Sequence, residues 1–197
     1  MAQVLLILAH PLEDSFCAAI AARAEAALEA RGDGVDVLDL YREDFDPRLS
    51  RSERRCHYSD QPDHSAVADQ IRRLRAADKI VLVFPQWWFA MPAILKGYFD
   101  RVFQPGVAFD HTPGYGQIRP RLKTLQAVLA VSTLGSARWV SALYMGYPVK
   151  RQLRRAIVKT CAPQARFRML NCYDTEKIDA ARSARFLARV EKAAAAL

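Results

Sequence analysis

Residues 84–89 read Phe84-Pro85-Gln86-Trp87-Trp88-Phe89 and follow directly on an apolar run that begins at Lys79. Proline has no backbone N–H for a sheet ladder, so a strand over this run should end there. Large aromatic side chains beyond a strand end lie near the surface, where they are costly unless they cover something. Apolar walls with few polar groups are typical of ligand pockets, and we predict one here. A hydrophobic plug over the core and a dimer contact are the alternatives.

A second group of candidate residues follows the apolar run from Val4 to Ala9 and reads His10-Pro11-Leu12-Glu13-Asp14-Ser15-Phe16-Cys17. Ser15 is an N-cap candidate for an alanine-rich helix. The first-turn amides and the helix dipole make such a helix start a natural phosphate site. His10 either adds a donor or a charge there or only caps local structure. Glu13 and Asp14 would repel a phosphate unless they point away.

A third group, Ser132-Thr133-Leu134-Gly135-Ser136, reads as a small polar turn rich in hydroxyls and amides. It follows another apolar run, from Leu125 to Val131. The three groups therefore share one context, in which polar or aromatic residues come directly after a predicted buried strand.

Strand and helix patterns alternate along the chain. The strand patterns cover residues 4–9, 35–40, 80–84, 125–131 and 165–172, and the helix patterns cover residues 15–30, 66–76, 92–103, 149–161 and 178–195. This alternation predicts an α/β fold, with a parallel sheet and helices on both faces. In a doubly wound sheet of order 2-1-3-4-5 the first, third and fourth strands are neighbours. The three groups would then meet at one edge and suit a planar ligand with a phosphate tail.

Two segments interrupt this alternation. Residues from Tyr41 to Asp63 are polar without a clear period, and residues from Pro105 to Pro120 are rich in proline and glycine and contain His111. Loops of this length in a compact domain tend to be binding loops, lids or oligomer contacts. The length of 197 residues suits one domain, which we assign to residues 1–197.

Composition excludes several classes of function. The net charge is +8, but we interpret the basic residues as interleaved with acids on solvated helix faces, so no nucleic-acid partner is predicted. No apolar run is long enough for a membrane span. The start of the chain resembles a buried strand rather than a signal peptide, which indicates a cytoplasmic protein without membrane insertion. No metal-ligand spacing, Rossmann fingerprint or P-loop is present.

The central block resembles the flavodoxin-like NAD(P)H:quinone oxidoreductases (NAD(P)H dehydrogenase, quinone). The resemblance rests on Ala9-His10-Pro11 with Ser15-Phe16, and on the run from Phe84 through Pro92 to Gly97. Arg101-Val102-Phe103 and Pro105 to Phe109 continue it, and it weakens after Gly135. The family implies a flavodoxin-like three-layer sandwich with a five-stranded parallel sheet of order 2-1-3-4-5. It also implies a bound flavin, FAD or in some relatives FMN, with NADPH or NADH as co-substrate.

The resemblance also implies roles for single residues. His10, Ser15, Phe16 and Cys17 would hold the flavin phosphates. Pro85, Gln86, Trp87, Trp88 and Phe89 would line the isoalloxazine, and Ser132, Thr133, Leu134 and Gly135 would contact its other polar edge. The substrate pocket would be formed by Trp88, Phe89, Phe109 and His111, across a homodimer interface. His111 is the candidate for protonating the product, with a purely structural loop histidine as the alternative.

The chain departs from the family pattern at two places. Cys17 stands where an asparagine is common, which removes one side-chain hydrogen bond and keeps the backbone amide. Trp139 and Met145 or Gly146 stand roughly where some relatives have a tyrosine and a histidine that stabilise the reduced flavin, so no proton relay is evident there.

The predicted function is two-electron hydride transfer from NAD(P)H to a quinone or similar acceptor, in a ping-pong scheme with one shared slot. Two other functions remain open. Some relatives are ancillary flavoproteins of potassium efflux systems, and the segment from Tyr41 to Asp63 or the basic surface could serve such a partner. A one-electron flavodoxin carrier is disfavoured, because such carriers are usually acidic.

Overall fold

The main sheet has five parallel strands in the computed structural model of the chain, which describes residues 1–59, 62–112 and 116–197. The strands of the described residues are β1 (Gln3–Leu8), β2 (Gly34–Asp39), β3 (Lys79–Pro85), β4 (Phe109–His111), β5 (Ile118–Pro120), β6 (Ala127–Thr133) and β7 (Arg166–Cys172). The main sheet has the order β2-β1-β3-β6-β7, and β4 and β5 form a separate antiparallel pair. The predicted order 2-1-3-4-5 of the five main strands is confirmed.

Helices connect the parallel strands. They are α1 (Phe16–Ala30), α2 (Arg51–Cys56), α3 (Ala68–Ala76), α4 (Ala93–Val102), α5 (Pro148–Arg151), α6 (Lys159–Cys161) and α7 (Ala180–Ala195). The π-helical residues Gln152–Val158 join α5 to α6, and we call this continuous element the α5–α6 helix. Another π-helical turn covers Val140–Tyr144, and 3-10 turns cover Ser65–Val67 and Thr175–Lys177.

Two apolar clusters bury the two faces of the sheet, because side chains alternate along each strand. One cluster combines Leu5, Ile7 and the apolar residues of α3, α4 and the α5–α6 helix. The other combines Val4, Leu6 and the apolar residues of α1 and α7. The architecture is therefore the predicted three-layer flavodoxin-like sandwich, with helices on both faces.

The structure corrects several boundaries. Helix α4 begins at Ala93 rather than at Pro92, which is its N-cap. Ser132 and Thr133 are the last residues of β6 rather than part of a turn, and both are buried. The segments without a clear period also contain regular structure, since α2 lies within residues 41–63 and β4 pairs with β5 within residues 105–120.

Buried ion pairs hold the segment of residues 41–63 against the sandwich. Arg101 of α4 donates to the Glu53 carboxylate at 2.8 Å and to the Asp46 carbonyl at 2.5 Å. Arg73 of α3 pairs with Asp36 and Glu43. The interpretation of the basic residues placed them on solvated helix faces. It fails for these two arginines, because each is less than a tenth exposed. Charges buried to this degree are tolerated only when paired.

Candidate functional site

Strands β1, β3 and β6 are neighbours, and their carboxyl ends meet at one edge of the sheet. Leu8 pairs with Val83, and Pro85 pairs with Thr133. The loops that leave these strands carry the three groups of candidate residues. In open α/β sheets this edge is where ligands bind.

The start of α1 presents unbonded amides. The Ser15 side chain accepts a hydrogen bond from the Ala18 N–H at 3.1 Å, as its N-cap role predicts. Within the described part of the chain, the N–H groups of Phe16 and Cys17 have no acceptor. Two free amides at the positive end of a 15-residue helix favour an anion such as a phosphate.

His10 lies beside this helix start. Its Nδ1 accepts a hydrogen bond from the Leu12 N–H at 3.1 Å, so one ring nitrogen caps the local turn. Its ring centroid lies 6.2 Å from that of Trp87. The two loops that follow β1 and β3 are therefore in reach of each other.

The Cys17 side chain points into the protein rather than toward the free amides. It is buried, and its Sγ lies 3.5 Å from Oγ1 of Thr133. Burial raises the pKa of this thiol to about 11, and the hydrogen bond to Thr133 only partly offsets that rise. Cys17 can therefore contribute its backbone amide to an anion site, while its side chain serves packing.

The aromatic residues after β3 form a tight turn with a strained backbone. Ala90 donates its N–H to the Trp87 carbonyl at 3.0 Å, and the φ angles of Trp88 and Phe89 are both +54°. Left-handed φ values at two consecutive residues are typical of type I′ turns, where glycine and asparagine are preferred. For bulky aromatic residues they are sterically costly and concentrate at functional sites.

The strained turn holds Trp88 away from the chain. Its side chain is 98% exposed, and Trp87 is 44% exposed. Trp88 therefore cannot act as a plug over the core of its own chain, whereas Trp87 is about half-buried. A bound ligand or a second protein surface remains as the reason for two large exposed aromatic side chains at one strand end.

A hydrogen-bond network connects the loop after β3 to the ends of β6 and β7. The Gln86 amide donates to Ser132 Oγ at 2.7 Å, and the Ser132 hydroxyl donates to Asn171 Oδ1 at 2.8 Å. Asn171 in turn donates to the Tyr173 hydroxyl at 2.9 Å. Ser132 is fully buried, so its side chain orients Gln86 rather than meeting a ligand.

The turn after β6 supplies further polar groups. Leu134 is buried and donates its N–H to the Cys172 carbonyl, while Gly135 is exposed. A Cβ at Gly135 would lie 2.8 Å from Oε1 of Glu176. The Ser136 hydroxyl is buried and has no hydrogen-bond partner in the described residues. A buried hydroxyl without a partner is rare in folded proteins.

Phe109 and His111 lie on the separate β4–β5 ladder. The His111 ring packs edge-on against Phe109, with centroids 5.3 Å apart, and against Tyr58, with centroids 5.5 Å apart. Tyr58 belongs to the segment of residues 41–63, so this segment packs against the β4–β5 ladder at His111. The sequence prediction that both residues flank the substrate slot stays a prediction.

Two tyrosines near the site were missed by sequence reasoning. Trp139 is 64% exposed, and the turn that follows it leads to Tyr147, which lines one cavity together with Tyr173. Burial raises the pKa of Tyr173. Tyr173 ends the Gln86 network, so its hydroxyl is linked to the loop after β3. No local signal in the sequence places two tyrosines 26 positions apart beside each other.

A basic cavity of about 320 Å³ lies between the end of β7 and helix α7. Its lining includes Arg182, Arg185, Arg189 and Phe186. The Phe186 ring lies 6.1 Å from the Phe16 ring at the start of α1. The cavity and the free amides of α1 therefore lie on the same side of the sheet. Among the described residues, no group of three or more His, Cys, Asp or Glu side chains is arranged to hold a metal ion.

Comparisons with known proteins agree with this geometry. The family model named Flavodoxin_2, described as a flavodoxin-like fold, matches residues 2–195. NAD(P)H dehydrogenase (quinone) 1 of Cavia porcellus is 36% identical over 150 residues, which cover 68% of this chain and 54% of that protein. The solved structure of Smu.1420 from Streptococcus mutans UA159 has a TM-score of 0.85 at 27% identity and covers 99% of this chain and 100% of that chain.

A second solved structure, the NAD(P)H:quinone oxidoreductase of Methanothermobacter marburgensis, has a TM-score of 0.83 and covers 98% of this chain and 96% of that chain. At 23% identity it supports the fold alone. The chain spans about half the length of the curated relative from Cavia porcellus. No helix of the described residues combines the length and the apolar character needed to cross a bilayer.

Proposed function

The chain belongs to the Flavodoxin_2 family of flavodoxin-like proteins, and from this premise we propose that it is a flavin-dependent NAD(P)H:quinone oxidoreductase. The curated relatives named as quinone dehydrogenases support this proposal. The observation that carries it is the meeting of three features at the carboxyl edge of β1, β3 and β6. These are the free amides of α1, the strained Trp88–Phe89 turn, and the Gln86 loop with its supporting network.

The residues present fit a flavin. The amides of Phe16 and Cys17 would bind its phosphate, and Ser15 and His10 would hold the loop in place. The residues Pro85, Gln86, Trp87, Trp88 and Phe89 would line one side of the ring system. The backbone of Ser132, Thr133, Leu134 and Gly135 would meet its polar edge. Bound there, a flavin supplies the transfer of hydride between donor and acceptor.

The protein's own part is to orient the substrates and to exclude water. Trp88 and Phe89 would hold the nicotinamide and then the quinone in one slot, which makes the reaction ping-pong. Backbone amides at the polar edge would stabilise negative charge that develops there. His111 would hold the proton that the reduced product receives.

FAD is the proposed flavin. The cavity lined by Arg182, Arg185 and Arg189 lies beyond Phe186, which contacts Phe16 at the proposed phosphate site. A flavin with an adenosine diphosphate half could extend into this basic cavity, whereas the single phosphate of FMN would stop at the amides of α1. The flavin that heat releases from the protein should therefore be FAD, as identified by its mass.

A homodimer is proposed as the working form. Trp139, Leu143 and Tyr144 are 64–84% exposed in the single chain. Exposed aromatic and aliphatic side chains in this number mark an interaction site. A second copy that covers them would also bring its Phe109 and His111 toward the slot. Light scattering at micromolar concentration should give twice the mass of the chain.

The decisive experiment uses the purified protein. Its spectrum should show bound flavin, NADPH or NADH should bleach that spectrum, and menadione should restore it. Initial rates measured against both substrates should give the parallel double-reciprocal lines of a ping-pong scheme. A colourless protein that neither takes up added FAD or FMN nor bleaches it with NADPH or NADH contradicts the proposal.

A further inference from the structure

The excess of positive over negative charge in this protein comes from one part of the chain. Residues 111–173 contain 11 of the 29 Lys and Arg residues and no Asp or Glu. The remaining residues carry 18 Lys and Arg against 21 Asp and Glu, so the whole net charge of +8 comes from this part. The interpretation of the basic residues as interleaved with acids is therefore wrong for residues 111–173.

The ion pairs divide the molecule in the same way. The cations that form them lie at or before Arg121, as in the pairs of Arg73 and Arg101. Within the part of the chain that the structure describes, no lysine or arginine from Arg138 onward has a carboxylate within ion-pair distance. Cations held close together without counter-charges repel one another, and an anionic partner would relieve that repulsion.

Many of these unpaired cations flank one element, the edge strand β7. Lys150, Arg154 and Lys159 lie on the α5–α6 helix on one side of it. Arg168 of β7 and Arg189 of α7 lie on the other side, because Leu170, which shares the face of Arg168, packs against the α7 layer. Two shallow cavities, of about 310 and 270 Å³, follow the strand and are lined in part by Lys150, Arg189, Arg154 and Lys159.

The backbone of β7 is open along its outer side. Arg166 donates its N–H to the Gln126 carbonyl at 2.9 Å, and the Cys172 carbonyl accepts from the Leu134 N–H at 2.8 Å. Alternate residues of a strand direct their backbone groups to opposite sides, so those of Phe167, Met169 and Asn171 point away from β6. Within the described residues no strand pairs with that side.

We propose that the groove along β7 binds an extended acidic peptide segment of a partner protein, which adds to the sheet as a sixth strand. The open N–H and C=O groups would pair with the peptide backbone, as in other cases of strand addition. The cations on both sides would pair with carboxylates that alternate between the two faces of the peptide. The open backbone edge favours a peptide over a nucleic acid or a lipid surface, which offer phosphates but no strand.

The test measures peptide binding by fluorescence anisotropy with the flavin-loaded protein. The probe is a labelled peptide of about nine residues, long enough to span β7 at about 3.3 Å per residue. Pairs of Glu alternate with pairs of Thr in it, so that carboxylates reach both faces. A fully N-methylated peptide of the same sequence keeps every charge and cannot donate backbone hydrogen bonds.

The protein variants test the charges separately. The double variant Arg154→Glu and Arg168→Glu reverses one exposed cation on each side of β7, and we expect about tenfold weaker binding of the probe. The control double variant Arg42→Glu and Arg51→Glu makes the same change in charge at exposed positions elsewhere and should bind within about twofold of the parent. Unchanged melting temperatures and flavin content confirm that both variants are folded.

The proposal is overturned if the N-methylated peptide binds as well as the probe, because the open edge would then play no part. It is also overturned if both double variants weaken binding equally, since only the overall field would matter. Tighter binding of an oligothymidine or of phosphatidylserine vesicles than of the probe would assign the surface to a different class of partner. Absence of probe binding at low salt would also overturn the proposal. The arginines of β7 would then serve only to prevent pairing of this edge with other strands.

Discussion

The thiol of Cys17 and the hydroxyl of Thr133 are in contact across 116 residues of sequence, with Sγ and Oγ1 3.5 Å apart. The contact joins the first turn of α1 to the last residue of β6. It fixes the helix start, which presents the free amides, relative to the strand end that leads to the Leu134–Gly135 turn. The side chain that departs from the family pattern therefore contributes to the geometry of the site from inside the protein.

The buried thiols predict a loss of stability at high pH. Burial raises the pKa of Cys17 and of Cys161 from 9.0 to about 11. The unfolded chain ionises these thiols above pH 9 while the folded chain keeps them neutral, so their contribution is present below pH 9 and is lost as the pH rises toward 11. Each should lower the free energy of unfolding by about 2 kcal/mol over that range.

Urea unfolding between pH 8 and pH 11 measures this loss. The double variant Cys17→Ala and Cys161→Ala starts from a lower stability because of the volume it removes, but it should lose less stability as the pH rises. Equal losses in the two proteins would show that other groups, such as the lysines and tyrosines, account for the pH dependence.

The Glu53–Arg101 pair should stabilise the segment of residues 41–63. Replacing Glu53 with Ala leaves a buried guanidinium without a counter-charge and should cost about 3 kcal/mol in urea unfolding. The double variant with Arg101→Met should recover much of that loss, because no charge then remains buried. If the double variant is as unstable as Glu53→Ala, the lost packing of Glu53 rather than the charge of Arg101 sets the cost.

The same pair predicts a loss at low pH. Burial raises the pKa of Glu53, but the hydrogen bonds from Ser50 and the Arg101 charge outweigh it and hold the pKa below its usual value. The contribution of Glu53 is therefore present above about pH 4.5 and is lost as the pH falls below that value. Limited proteolysis within residues 41–63 should become faster as the pH falls through this range, and Glu53→Gln should remove that dependence.

Gly97 is the last residue of the sequence block that carries the family resemblance, and its role is close packing. A Cβ at this position would lie 2.3 Å from the Pro47 carbonyl oxygen and 2.5 Å from its Cα. Backbone atoms cannot move aside cheaply, so Gly97→Ala should cost about 2 to 3 kcal/mol in urea unfolding.

Gly34→Ala is the matched control. A Cβ at Gly34 would lie 2.8 Å from Oε1 of Gln3, at the end of a flexible side chain. That side chain can rotate away, and the change should stay within about 0.5 kcal/mol. A similar cost for both variants would mean that the distance alone, and not the rigidity of the neighbour, decides the effect.

Sequence patterns predicted the parts of the fold that depend on local signals. Continuous or alternating apolar patterns predicted the five strands of the main sheet to within two residues at each end. Ser15 was identified as an N-cap from residue type alone. Helix α2 was missed because it has no apolar period, although Ser50 and Glu53 form a capping box three residues apart. That spacing was readable in the sequence.

Other parts of the site depend on long-range contacts and on backbone conformation. The network from Gln86 through Ser132 to Asn171 joins three strand ends and leaves no local mark in the sequence. The left-handed conformation of Trp88 and Phe89 could not be predicted either, because turns of this kind are normally recognised by glycine or asparagine at these positions. Here two aromatic residues occupy the turn although its backbone conformation disfavours them.

This conflict between side chain and backbone gives the sharpest prediction for the site. Glycine adopts a φ of +54° without steric cost, so Trp88→Gly should stabilise the fold by about 1 kcal/mol, since the 98% exposed side chain contributes little packing to a single chain. The same change removes one wall of the proposed slot. We expect a clear loss of flavin retention or of NADPH–menadione turnover, together with a higher urea midpoint when both proteins are compared free of flavin.

Trp139 is the control, because its side chain is also exposed but its φ is −65°. Trp139→Gly should lower stability by about 0.5 to 1 kcal/mol, since glycine is unfavourable in a helical conformation. Trp139→Ala should affect flavin retention and turnover less than Trp88→Ala, which tests the slot without relieving the backbone. Equal effects of the two alanine variants would place Trp88 outside the slot, and a destabilised Trp88→Gly would mean that the indole packs against a second copy of the chain.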